Sequence, residues 1–187
     1  MQADFAVELG RDDETLEMPW AGGTDGPRYY DLKRHPELLG KIEETLRFRE
    51  LGEFLAAVNS AASLVETAKC DVWASTEINP EEEIFGAPWK FGSYVDVLFS
   101  NDTHRISFPV HEQWARQLTD LLKKAPEIRS SAELSIRRCY YHTADVVRDG
   151  FYITFYLFGY GQDEADARRN WGMGLKLVEN ALRQSLR

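Results

Sequence analysis

The sequence has only two cysteines among its 187 residues, which are Cys70 and Cys139. Two thiols are too few for a disulfide framework or for a metal site with four cysteine ligands. The sequence also lacks an apolar run of the ~18 residues that a membrane helix needs. Its first residues, "MQADFAVELGRDDE", have neither the basic nor the apolar stretch of a signal peptide. We therefore predict a reduced, cytoplasmic protein without a membrane partner.

Basic residues are in short supply. The chain has 22 Lys and Arg against 31 Asp and Glu, which gives a net charge of −9. A protein that binds nucleic acid or an anionic membrane needs a basic surface to meet phosphate groups. The acidic balance therefore argues against a nucleic-acid partner, and we interpret Arg137, Arg138, Arg168 and Arg169 as solvated or ion-paired arginines.

Motifs that bind cofactors or metals are missing as well. The segment "AGGTDG" has neither the Gly-Lys-Ser/Thr ending nor the strand–loop–helix order of a phosphate-binding loop. No HExxH or CxxC occurs, and Cys139 and His142 would point to opposite faces of a regular strand. We expect no cofactor and no metal, and the sequence favours a protein that is not an enzyme.

Apolar residues make up 43% of the chain and aromatic residues 12%, so a substantial core can form. We predict a single domain over 1–187. Strands are expected near 3–9, 68–78, 93–100, 132–143 and 151–161, and helices near 36–58, 110–124 and 163–186.

Two stretches of the sequence resemble each other. Gly92 and Gly150 each begin a strand with Tyr two positions later, and Trp114 and Trp171 follow at nearly the same distance. We interpret this as a tandem ββα duplication, with units at 68–126 and 131–187 and an N-terminal strand–loop–helix extension at 1–67. The predicted fold class is α+β. It has two layers: a mostly antiparallel sheet of five or six strands, and about three helices on one face.

Alternation along the strands separates the two faces of this sheet. The alignment of Cys70 with Cys139 does not fit this alternation, which leaves either a β-bulge or a register error. On the face away from the helices, the strand at 151–161 carries Tyr152, Thr154, Tyr156 and Phe158, where a solvated face would carry charged residues. Such a face marks a binding surface or an oligomer interface, unless the N-terminal segment covers it.

The expected function is binding through this tyrosine-rich face. The partner would be a second copy in a homodimer, another protein or a small ligand. The residues that we expect to take part are Tyr94, Asp96, Tyr152, Tyr156, Trp73 and Arg137. The alternative is a small-molecule enzyme with Glu77 or Asp96 as general base and Arg137 as anion anchor.

Overall fold

The computed structural model describes residues 1–22, 26–77, 85–143 and 146–185. Six strands form one sheet. They are β1 (Gln2–Glu8), β2 (Thr15–Met18), β3 (Val65–Ser75), β4 (Trp89–Phe99), β5 (Ser130–Thr143) and β6 (Val146–Gly161). The helices are α1 (Glu43–Arg47), α2 (Arg49–Val58), α3 (Asp102–Arg105), α4 (Phe108–Lys123) and α5 (Glu164–Ser185), and a 3₁₀ helix spans Pro36–Lys41.

The sheet is mixed, and the prediction that it is mostly antiparallel is wrong. The strand order is β1-β5-β6-β4-β3, with β2 also paired to β5. The β3–β4, β4–β6 and β5–β6 pairs are antiparallel, but β1 and β2 both run parallel to β5. Alternating apolar residues identify a strand without fixing its direction, since either direction buries the same set.

Helices α2, α4 and α5 pack on one face of the sheet and form the main core with it. Their apolar stripes explain this placement. Leu51, Phe54, Leu55 and Val58 are the buried residues of α2, and Trp171 of α5 is fully buried against Phe91. None of the helices in the described parts of the chain is long and apolar enough to cross a membrane.

The order strand, strand, helix occurs twice, first as β3, β4 and α4 and then as β5, β6 and α5. A duplication as the origin of this order stays a prediction. A register shift between Thr67 and Cys70 interrupts β3, so the irregularity that the cysteine alignment indicated is a feature of β3 itself. After the shift, Cys70 packs into the main core, whereas Cys139 faces the other side of the sheet.

Candidate functional site

The face away from the helices, which we call the second face, is ordered in rows that cross the strands. Residues paired across neighbouring strands share a face and lie ~5 Å apart. The pairings from β3 to β1 define three consecutive rows. The first row is Trp73–Gly92–Phe158–Ser131–Gln2. The second row, which we call the tyrosine row, is Asp71–Tyr94–Tyr156–Glu133–Asp4. The third row is Asp96–Thr154–Ser135–Ala6, and the irregular part of β3 lies next to Asp96.

The N-terminal segment covers one half of the second face. Leu16 and Met18 of β2 pack with Leu98 and Tyr152 in a second, smaller core. The chain then crosses towards β3, where the Trp20 Nε1 donates a hydrogen bond to the carbonyl oxygen of Ala68 at 3.0 Å. This covered half therefore belongs to the interior of the protein.

The other half of the second face carries an aromatic group, which we call the aromatic half-face. It consists of Trp73, Tyr94, Tyr156 and Phe158, all partly exposed. The rings of Tyr156 and Phe158 are stacked, with centroids 6.5 Å apart, and those of Tyr94 and Tyr156 are 6.3 Å apart. Trp73 meets Phe158 edge-on at 6.1 Å. The rings thus form a continuous platform.

Charged groups surround the aromatic half-face. The ammonium group of Lys90 lies 5.3 Å from the ring centroid of Phe158, and the guanidinium carbon of Arg137 lies 5.5 Å from that of Tyr156. Asp71 is exposed at one end of the tyrosine row, and Glu133 and Asp4 are exposed at the other. The platform is therefore bounded by carboxylates on two sides.

Arg137 connects the platform to the N-terminal strand. Its Nη2 lies 2.6 Å from Glu8 Oε2, and its Nη1 lies 3.0 Å from Glu14 Oε2. Nη1 also donates to the Tyr156 hydroxyl at 3.1 Å and to Thr154 Oγ1 at 3.3 Å. Burial acts to lower the pKa of Arg137, but the hydrogen bonds to Glu8 and Tyr156 more than offset it, so the pKa is raised. The guanidinium is charged and is held between two carboxylates.

Asp96 is a buried carboxyl group beside this cluster. It is 2% exposed, and its Oδ1 accepts a hydrogen bond from Thr154 Oγ1 at 2.7 Å. Removal from water raises its pKa from 3.8 to about 7, against the smaller opposing effect of the Thr154 hydrogen bond. Glu14 adds to the increase through charge repulsion. Asp96 therefore changes its protonation state near neutral pH.

The structure brings some of the expected residues together and separates others. Trp73, Tyr94 and Tyr156 lie on the aromatic half-face, with Asp96 and Arg137 in the adjoining buried rows. Tyr152 also lies on the second face but is 0% exposed, because the N-terminal segment covers it. Glu77 follows Ser75, which pairs with Lys90 at the far end of β4 from Asp96, so the two carboxylates are not neighbours.

Phe158, Glu8 and Glu14 are not among the site residues predicted from the sequence. Alternation along β6 places Phe158 beside Tyr156, so this residue could have been included. No sequence signal pairs Glu8 and Glu14 with Arg137, because these contacts depend on the parallel edge formed by β1.

Neither cysteine is set up as a nucleophile. Burial raises the pKa of each thiol to about 12, so both are protonated at neutral pH. His142 contacts Glu17 and does not join Cys139. Within the residues that the structure describes, no three His, Cys, Asp or Glu side chains are grouped to hold a metal ion.

Comparison of the chain with protein-family models, with curated proteins and with solved structures finds no significant match.

Proposed function

We propose that the chain is a binding protein whose aromatic half-face contacts another molecule. One observation carries the proposal: Trp73, Tyr94, Tyr156 and Phe158 stand side by side and partly exposed, while the N-terminal segment covers Tyr152 on the same face. Aromatic rings supply large contact area at a low cost in side-chain entropy and dominate the energetics of protein interfaces. A contiguous apolar surface of this kind marks an interaction site.

The occupant is either a second copy of the chain or a different molecule. In a two-fold dimer the same surface lies on both sides of the contact. In a face-to-face dimer, a two-fold axis that crosses the middle of the tyrosine row would bring Asp71 of one copy towards Glu133 and Asp4 of the other. Contact between these like charges is unfavourable. Charge therefore favours a different molecule over self-association.

Light scattering tests the choice of occupant with two variants that add the same charge. Tyr156→Glu places a carboxylate on the aromatic half-face. Leu46→Glu places one on a side chain that is 72% exposed, outside this face. If the parent protein is a dimer through this face, Tyr156→Glu gives a monomer and Leu46→Glu does not. A monomeric parent excludes a second copy and leaves a different molecule as the proposed occupant.

One result would exclude self-association through this face, and another would contradict the proposal itself. A dimeric parent whose mass is unchanged in Tyr156→Glu places self-association on another surface.

Replacement of both Trp73 and Phe158 by Thr separates a binding role from a structural one. We expect that pair of changes to lower the free energy of unfolding by less than ~2 kcal/mol, because both rings are partly exposed. A loss above ~4 kcal/mol in urea denaturation would identify the rings as core residues.

Catalysis with Asp96 as general base is the alternative, and the raised pKa of Asp96 supports it. Two observations weigh against it. The Asp96 carboxyl is almost fully buried, and Arg137 already pairs with Glu8 and Glu14 and so is not free to anchor an anion. Catalysis requires that a small reagent reach Asp96. Labelling of Asp96 by a carbodiimide in the folded protein would support this alternative, whereas labelling confined to exposed carboxylates would remove it.

A further inference from the structure

The charges along the tyrosine row of the aromatic half-face define the chemistry of its partner, and this inference rests on the proposed function. The row has two tyrosines at its centre, Asp71 at one end, and Glu133 and Asp4 at the other. None of these three carboxylates forms an ion pair with any residue that the structure describes. The row therefore presents uncompensated negative charge on both sides of its rings.

The cations next to the platform do not neutralise this charge. Arg137 is balanced by Glu8 and Glu14, so that group is itself negative by one charge. Lys90 lies over Phe158, one row away from the two tyrosines. Both contacts also show that the rings of this face accept cations over their surfaces. Tyr156 already has Arg137 over its ring and Phe158 stacked on it, so the position for a further cation is at Tyr94, which is partly exposed and pairs with Asp71.

The distance between the acidic ends indicates an extended occupant. The row crosses five strands, so its ends are ~19 Å apart. A single small amine cannot meet carboxylates at both ends, whereas an extended peptide of roughly six residues spans this distance. The partly exposed rings add contact area along the same path.

We propose that the aromatic half-face binds an extended Lys- or Arg-rich segment of another protein, with one cationic side chain over Tyr94 beside Asp71 and another at Glu133. The net charge of −9 on the chain accelerates the approach of such a partner. Arginine suits the site particularly well, because its planar guanidinium stacks on rings and forms forked hydrogen bonds with carboxylates.

Fluorescence anisotropy with a labelled hexa-arginine peptide tests the proposal at 150 mM salt. The site variant carries Asp71→Asn and Glu133→Gln. The matched control carries Asp120→Asn and Glu127→Gln, which removes the same charge from exposed residues outside the second face. We expect about a fivefold increase in Kd for the site variant and less than twofold for the control. Equal weakening in both would show that net charge alone attracts the peptide, and the proposal would fall.

A change that leaves the charge untouched tests the rings. Tyr94→Leu should raise the Kd for hexa-arginine about fivefold, because a cation–π contact and ring area are lost. An unchanged Kd would overturn the proposal. So would absence of binding to the parent protein, or competition by free arginine amide at the same concentration as the peptide, since a single cation would then suffice.

A hexaglutamine peptide separates this proposal from the function on which it rests. If hexaglutamine binds as well as hexa-arginine and Tyr94→Leu weakens both, the aromatic half-face is a binding surface and the cationic partner is wrong. If Tyr94→Leu changes neither binding constant and a dimeric parent keeps its mass in Tyr156→Glu, the binding function itself fails.

Discussion

At the scale of residues, Gly92 leaves the space that two rings of the aromatic half-face occupy. Trp73 and Phe158 flank it in the same row, and their rings close over it. A Cβ atom at this position would lie 2.9 Å from Phe158 Cδ1 and 2.9 Å from Trp73 Cε2, closer than carbon atoms pack. The platform therefore depends on the absence of a side chain at position 92.

Gly92→Ala should separate these two rings and destabilise the protein. We expect a loss of ~1–3 kcal/mol in the free energy of unfolding, measured by urea denaturation, because an inserted methyl group forces neighbouring side chains from their positions. Gly40→Ala is the matched control, since a Cβ there meets no atom within 4 Å. A Gly92→Ala protein as stable as the Gly40→Ala protein would contradict the packing described for Trp73 and Phe158.

Asp96 links the stability of the protein to pH. The carboxyl has a pKa of 3.8 in the unfolded reference and about 7 in the folded chain, where burial is the main cause. Between these values the folded state binds the additional proton, so the contribution of Asp96 to stability falls as the pH rises through this window. Above it, the folded state contains a buried charge that is costly to keep.

Asp96→Asn removes this titration and should stabilise the protein relative to the parent at pH 8, by an amount on the order of 3 kcal/mol. The difference between parent and variant should shrink as the pH falls from 7 to 4. Thermal unfolding across this range measures it, and Asp71→Asn is the control because Asp71 is exposed. Parallel pH profiles for parent and Asp96→Asn would show that Asp96 titrates normally.

At the scale of elements, the four-residue strand β2 contributes two side chains to the second core. Leu16 and Met18 are 1% and 6% exposed and close the second core over Tyr152 and Leu98. This strand is therefore the reason that the second face divides into a covered half and an aromatic half.

Leu16→Ala should cost ~2–4 kcal/mol in the free energy of unfolding, the range for cavities in a packed core. Val7→Ala on the neighbouring strand β1 is the control, because Val7 is 46% exposed and its truncation should change stability by less than ~0.5 kcal/mol. Equal effects in chemical denaturation would show that β2 covers the sheet only loosely.

The periodicity of the sequence was enough to locate most elements but not to arrange them. The stripes of α4 and α5 predict both helices to within about two residues of their observed bounds, and the alternation of β4 and β6 predicts where these strands end. Both strands begin earlier than expected, at Trp89 and Val146. The parallel pairing of β1 and β2 with β5 was not, because it joins distant segments that share no pattern. The same limit applies to the site, since Tyr94 and Tyr156 follow from alternation, whereas the burial of Tyr152 depends on where β2 lies.

At the scale of the whole molecule, one mixed sheet separates two unequal interiors. Helices α2, α4 and α5 close the larger one, and the N-terminal segment closes the smaller one. Only the folded sheet gives the excess of acidic residues a defined arrangement, because its rows place Asp71 and Glu133 on opposite sides of two tyrosines. Net charge alone could not have given that arrangement.

The parallel edge also has a consequence for the order of assembly. Strands β1 and β2 pair with residues 131–141 of β5, far along the chain, so they are secured in the sheet only after β5 has been synthesised. Contacts between such distant segments slow folding, because a long loop must close before they form. Until β5 is available, Leu16 and Met18 lack the partners that bury them and remain open to water.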